Sequence, residues 1–340
     1  MYIRTSVQFN AYYISVLFSA ERLQADAISL PIRSLHDKIT AGHSTDTQEA
    51  DRWRPLNASD IASVKTFLFF VGWLSSCHSI IGSMLDAHPN VIVAHEYFLF
   101  SELKKDRRLL NRRNLYNVLY RNSYKAASGG WRSTSMRQKG YSLDITDSWQ
   151  GRFSELKVIG DKTAGDSTRL YSDHRIQFKR LYHQLRITVQ VPVRVLHVVR
   201  NTYDMIATFS LYQGFDTKEK KVNATLIHKY NNPSILKEAT NYVLKQSRAI
   251  AAMIPDARLI THEVHCEELI RDPKLTMSRI CSFLNMNCSL EFLEMCEEKT
   301  FTSVSMSRYL VEWNEDLLLR VAKQIQKFPF FQGYSFEANK

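Results

Sequence analysis

Short apolar runs rich in β-formers alternate along this chain with longer stretches of helical spacing. Residues 66–71 (TFLFFV) form an apolar run that reaches Gly72, crosses a Ser-rich turn and becomes a helical pattern ending at His88-Pro89. A second run, 91–94, delivers His95 and Glu96. Residues 156–160 predict a short buried strand leading into Asp161 and Lys162, and VRVLHVV (193–199) is the clearest core strand, ending at Arg200. A last strand is expected over 258–261. Helical spacing covers 109–120, with Gly129-Gly130 as the breaker, then 167–185 and 241–253. It recurs at 273–284, where Pro273 suits the first turn, and after Asn314, where Leu317, Leu318, Val321, Ile325 and Phe328 share a face. Asn201 or Asp204 can cap the helix after Arg200.

Strands that alternate with helices imply a parallel sheet covered on both faces. Ligands of such sheets bind at the carboxyl ends of the strands, and Gly72, Glu96, Lys162 and Arg200 all follow predicted strands. They are therefore expected to converge. A strand that turns directly into a helix aims the helix's free N–H groups at the turn, where an anion can sit. Residues 72–79 have that form, and Glu96 would face the same crevice as a carboxylate base. The pattern points to transfer of an anionic group.

Composition adds less than charge. The 340 residues are 44% hydrophobic and 23% charged, ordinary values for a globular chain with no repeat or low-complexity segment. Of the net +11, almost all lies in one segment holding Lys104, Lys105, Arg107, Arg108, Arg112, Arg113, Arg121, Lys125, Arg132, Arg137 and Lys139 against the single acid Asp106. Chain order puts Lys104–Lys139 just after Glu96, so it is expected near the mouth of the cleft as an electrostatic funnel for an anionic acceptor. A solvated basic surface is the alternative. No recognisable nucleic-acid module accompanies it, so nucleic acid is an unlikely partner. The five cysteines form no CxxC pair, which argues against zinc, and the three at 281–296 leave room for one disulfide. No G-x-x-x-x-G-K-[ST] loop marks a nucleotide kinase. Residues 1–60 are read as a poorly ordered lead-in or a signal or anchor remnant, with an apolar stretch at 9–20 too short for a comfortable span. The folded domain is placed at 61–336. Sequons at Asn57, Asn223 and Asn287 decide nothing.

Four segments resemble the sulfotransferases that use 3′-phosphoadenosine 5′-phosphosulfate, most closely the Golgi carbohydrate and tyrosylprotein branch. GWLSSCHSIIGSMLDAHPNVIVAHE is similar to that branch's 5′-phosphosulfate loop and helix, and VIGDKTAG to its lysine strand. VRVLHVVRNTYDMIATFSLY is similar to the 3′-phosphate segment, and CEELIRDPKLTMSRICSFLNM to the late helix of the fold. The resemblance implies a P-loop-NTPase-like α/β fold of three layers, a nucleotide sulfate donor and no metal. It also implies a hydroxyl acceptor, which the basic segment narrows to an anionic glycan or an acidic tyrosine-containing peptide, and a Golgi location, with the cytoplasm as the alternative. Glu96 takes the position of the general base, with His95 able to share the role, and Lys162 the position beside the bridging oxygen. Ser75, Ser76, Cys77, His78 and Ser79 would surround the phosphosulfate, while Arg200, Thr208 and Arg308 would belong to the nucleotide site. The turn departs from the family. Where members commonly read Pro-Arg-Ser-Gly or Pro-Lys-Ser-Gly, this chain has Leu74-Ser75-Ser76-Cys77. A charge has become Ser75, and a glycine able to adopt φ > 0 has become Cys77. The alternative function is a silent member of the fold that binds a nucleotide or an anionic glycan.

Overall fold

Double-sided burial organises the molecule. The computed structural model describes residues 53–129, 132, 142–214 and 232–340. Strands β1 (Thr66–Gly72), β2 (Val91–His95), β3 (Val158–Lys162), β4 (Val193–Val199) and β5 (Ile260–His265) form one parallel sheet in the order β2-β3-β1-β4-β5. The order changes direction at β1, where parallel sheets open a crevice. In β1, Phe67, Phe69 and Val71 enter one core and Leu68 and Phe70 the other. An apolar residue at every position is what burial on both faces requires.

Helices α1 (Ala58–Ser63), α2 (His78–Asp86), α3 (Leu99–Lys105), α4 (Arg112–Ser128), α5 (Ala164–Asp173) and α6 (Arg175–Val189) occupy the first half. In the second half lie α7 (Thr202–Gly214), α8 (Pro233–Met253), α9 (Cys266–Arg271), α10 (Pro273–Phe283), α11 (Leu290–Lys299) and α12 (Glu315–Ile325). Helices α4, α6, α8 and α12 supply the first core, and α2, α10 and α11 the second.

Several expectations shift. The strand expected at 156–160 runs to Lys162, and the one at 258–261 lies at Ile260–His265. The helix over 167–185 is two helices, because His174 (φ −145°, ψ 61°) breaks the α conformation between them. Helix α8 begins at Pro233, where Asn232 accepts from the Ser234 and Ile235 amides. Asn201 is the residue that bonds the start of α7, through the Tyr203 amide. Residues 53–60 belong to the folded unit rather than to a lead-in: Leu56 is buried, and Asn57 and Asp60 form a capping box on α1. Residues 1–52, with the apolar stretch 9–20, lie outside the described residues, as do Asn223, Arg137 and Lys139. Among the described residues no helix is long and apolar enough to cross a membrane.

The last residue of α2, Asp86, ties the edge of the sheet together. Its buried carboxylate accepts from the Val93 amide (2.6 Å), the Ser123 hydroxyl (2.7 Å) and the Gly151 amide (2.9 Å), and pairs with Arg132 at 2.7 Å. Arg132 is 1% exposed, so it is a core residue and no part of a basic surface. Asp86→Ala would strand that guanidinium and three donors. It should lower stability by about 3–5 kcal/mol, read as a reduced urea midpoint with an unchanged slope.

Candidate active site

The turn between β1 and α2 is held in a conformation its side chains disfavour. Gly72 must be glycine, since a Cβ there would lie 2.8 Å from the Val198 carbonyl oxygen. Ser75 (φ 65°) and Cys77 (φ 70°) are both left-handed, which costs a non-glycine residue roughly 1–2 kcal/mol. Each has a tether. Arg200 donates to the Ser75 carbonyl at 2.8 Å, and Cys77 forms a disulfide with Cys266, its Cα 5.7 Å away. The Ser76 hydroxyl donates to the Trp73 carbonyl at 2.8 Å. A cysteine at position 77 therefore holds a left-handed turn that usually calls for glycine, with the amides of α2 opening onto it.

Lys162 joins this turn to Glu96. Successive residues of a strand point to opposite faces, so β3 ends with Asp161 on one side and Lys162 on the other. The Lys162 side chain runs under α2 because residue 82 is glycine; a Cβ there would meet its Cγ at 2.6 Å. Its Nζ donates to Ser79 Oγ (3.1 Å) and to Glu96 Oε1 (2.9 Å). His78 Nε2 lies 3.9 Å from the same carboxylate oxygen. Burial opposes the charge on Glu96, but the Lys162 ammonium and His78 outweigh it and hold the carboxyl well below its usual range. Burial lowers Lys162, against the pull of Glu96. His95 pairs in register with Lys162; burial first, then the Lys162 charge, drives its imidazole well down, so it is neutral.

Five successive amides fix the loop that carries Glu96. Tyr97 and Leu99 donate to Asp161 (2.9 and 3.1 Å), and Phe98 donates to Thr163 Oγ1 (3.2 Å). Phe100 and Ser101 donate to Asp166 (2.9 and 3.1 Å). Glu96 (φ 55°) and Phe98 (φ 60°) are left-handed, and these bonds offset the strain. Burial pushes Asp161 up to about 7 and raises Asp166. The capping roles of Asp161, Thr163 and Asp166 were missed in sequence; a D-x-T-x-x-D spacing after a strand was the available signal.

The nucleotide-site candidates gather on residues 305–308. Arg200 donates to the Ser305 carbonyl (3.0 Å), and Thr208 Oγ1 is 2.7 Å from Ser307 Oγ. Arg308 is buried in a 2.6 Å pair with Asp204 and reaches Asn339 at 3.1 Å.

The first part of the basic segment is a correction. Arg112 donates to the Ile61 carbonyl (3.2 Å), Asn117 accepts from the Leu56 amide (2.8 Å), and Tyr116 and Leu110 bond to Val189 and Thr188. Those partners precede β1 and β4, so Arg107, Arg108, Arg112 and Arg113 lie at the amino ends of the strands. Strands of five to seven residues put them roughly 15–20 Å from the site. They cannot form the mouth of the cleft. The helices that follow Glu96 carry the chain away from it, which charge counting could not reveal.

A second disulfide, Cys281–Cys288, falls where the cysteine spacing left room for one, and Cys296 is a buried thiol. The Cys77–Cys266 link, 189 residues apart in sequence, had no sequence signal. Among the described residues no group of three or more ligating side chains could hold a metal.

Fold and site together define a parallel α/β protein with an anion-accepting turn beside a buried carboxylate–ammonium pair. No protein-family model matches the chain, and no curated protein matches it in sequence. Solved structures that it resembles include sulfotransferases. The sulfotransferase domain from the Curacin biosynthetic pathway is 14% identical, with 76% of this chain and 86% of that chain covered and a TM-score of 0.40. Sulfotransferase STF9 from Mycobacterium avium gives 11%, 80%, 79% and 0.40, and mouse sulfotransferase SULT7A1 complexed with PAP gives 11%, 76%, 72% and 0.35. At that distance what the chain does rests on its own site.

Two outcomes test this geometry. An ordinary helical Gly→Ala change stabilises by roughly 0.5–1 kcal/mol. Gly82→Ala should instead destabilise by about 1–3 kcal/mol, seen in urea unfolding, because its Cβ must displace Lys162. The second concerns pH. Glu96 has a depressed folded pKa, so its contribution is complete above the ordinary 4.5 and is lost as pH falls through the lower folded value. The stability gap between wild type and Glu96→Gln should hold from pH 8 to about 5 and close in more acidic buffer.

Proposed function

We propose that this protein transfers a sulfuryl group from 3′-phosphoadenosine 5′-phosphosulfate to a hydroxyl. One observation carries the reading: the continuous chain Ser79–Lys162–Glu96, which links the anion turn to a carboxylate through contacts of 3.1 and 2.9 Å. The turn amides and Ser79 would hold the 5′-phosphosulfate, and Arg200 and Thr208 the 3′-phosphate. Lys162 would move from Glu96 to the bridging oxygen of the donor. Glu96 would then lose its closest counter-charge at the moment it must accept a proton. The acceptor oxygen bonds to sulfur as its proton passes to Glu96. The sulfur–oxygen bond to the nucleotide breaks, its electron pair leaving with the phosphate, where Lys162 stabilises the new charge. In-line alignment and charge neutralisation dominate, as in phosphoryl transfer.

The acceptor class carried forward is an anionic glycan first and an acidic tyrosine-containing peptide second, a ranking that came from the charge of the basic segment. Arg107, Arg108, Arg112 and Arg113 add no support, since their neighbours lie at the amino ends of the strands. Two disulfides favour an oxidising compartment and with it the Golgi lumen. A second reading, a silent protein that binds nucleotide or anionic glycan, draws on Ser75 and on the fact that Arg200 and Arg308 already bond protein acceptors.

Labelled donor offered to a panel of glycans and tyrosine peptides separates the two. Turnover is expected, falling about 10²–10⁴-fold in Glu96→Gln with nucleotide affinity kept. Binding without turnover on a panel that other sulfotransferases accept would favour the silent protein. Arg200→Ala should weaken adenosine 3′,5′-bisphosphate by about tenfold or more in calorimetry; unchanged affinity would remove Arg200 from the site.

A further inference from the structure

A site that holds a phosphosulfate needs positive charge, and this turn has lost its arginine or lysine to Ser75. Lys162 is committed to Glu96, and Arg200 spends its guanidinium on two carbonyls. His78 is the remaining nitrogen base on the turn itself. It opens α2, is 5% exposed, and has its ring between Ser76 and Glu96. Nδ1 lies 3.4 Å from Ser76 Oγ, and Nε2 lies 3.9 Å from Glu96 Oε1.

Two of its contacts bear on where the ring's hydrogens are. A serine hydroxyl has one hydrogen, and Ser76 gives it to the Trp73 carbonyl. Toward His78 it therefore offers only a lone pair, so Nδ1 must carry a hydrogen. The other nitrogen faces an ionised carboxylate, which accepts and never donates, and which repels a bare ring lone pair. Both nitrogens are thus best matched as N–H, which is the imidazolium.

Resting on the donor-site reading above, we propose that His78 is the cation of this turn, a protonated imidazole that replaces the missing arginine against the 5′-phosphosulfate. An arginine is charged at every physiological pH, whereas an imidazolium is conditional. Donor affinity therefore becomes pH-dependent, a property that a basic residue at position 75 would not confer. Among the described residues, the charged and titratable groups near the ring include Glu96 and His95 at the end of β2, Lys162 on β3, and the buried Arg132 that acts on Lys162 and His95. Glu96 and the incoming anion favour the proton on His78. Lys162 and Arg132 oppose it, and His95 is neutral.

The test is calorimetric affinity for adenosine 3′,5′-bisphosphate from pH 6 to 9 in wild type, His78→Asn and His78→Asn/Ser75→Arg. The ratio of wild type to His78→Asn removes the titration of the nucleotide's own phosphates. That ratio should be about tenfold at pH 6, the size of one charge-assisted contact, and approach one by pH 9. The double variant should bind tightly with the same pH profile as His78→Asn, which also shows that the substituted turn folds. Equal affinity of wild type and His78→Asn across the range would overturn the proposal. If no variant binds the nucleotide, the donor-site reading fails separately. The His78 ring shifts in NMR then decide: an imidazolium near pH 7 supports the assignment, and a neutral ring overturns it.

Discussion

A buried ammonium is the constraint from which the site follows. Lys162 ends a central strand with its side chain 1% exposed, and an isolated charge there would cost several kcal/mol in lost hydration. It is tolerable only with a carboxylate at contact distance, so Glu96 has to reach it. Glu96 can do so only from a left-handed residue just past β2, and that conformation stands because five amides beyond it are bonded to Asp161, Thr163 and Asp166. The space for the lysine stem comes from Gly82 on the facing helix. One buried charge thus dictates a strand end, a loop and a gap in a helix. All three lie at the carboxyl edge of the sheet, where the donor turn already is.

The turn shows how substitutions are absorbed. Losing a glycine usually means losing the left-handed conformation, yet Cys77 keeps it. The disulfide to Cys266 anchors that residue to the end of β5, while Arg200 anchors its left-handed neighbour Ser75. The same arginine is the candidate for the 3′-phosphate, so nucleotide binding and turn geometry share a residue. A ligand that draws Arg200 away from Ser75 would loosen the turn, and one that leaves it in place would be held by a rigid cradle. Any such ligand would therefore act on the turn through that hydrogen bond.

Most of the fold was legible because its signals are local. A short β-rich apolar run with both parities hydrophobic fits a strand buried on two faces, and β1 and β4 lie where that pattern puts them. β3 was read two residues short, because Asp161 and Lys162 look like a strand exit. They stay in the strand since each finds partners on its own face. β5 was misplaced for a related reason: four of its six residues are exposed or half-buried, so apolar patterning marks it poorly. The site was legible in its residue types and their order after strands. Its couplings were not, because the Cys77–Cys266 bond, the Asp166 contacts with α3 and the burial of Arg132 against Asp86 all join distant segments.

Charge misled where topology had the last word. Eleven basic residues against one acid just after Glu96 look, in sequence, like a guard at the cleft. Yet α3 and the turn after it run from the carboxyl edge of the sheet to the amino edge, delivering Arg107, Arg108, Arg112 and Arg113 beneath the strands. Arg132 leaves the surface altogether. Exposed charges more than about 8 Å apart are largely screened at physiological ionic strength, so a cluster at the opposite edge contributes little to the potential at Glu96. Among the described residues, the charged groups at the turn are Lys162, Arg200 and His78, set against Glu96. Of these, Lys162 and Glu96 nearly cancel and Arg200 is turned toward carbonyls. The charge of the site then depends on one imidazole, and a titrating group governs what a fixed arginine would otherwise have settled.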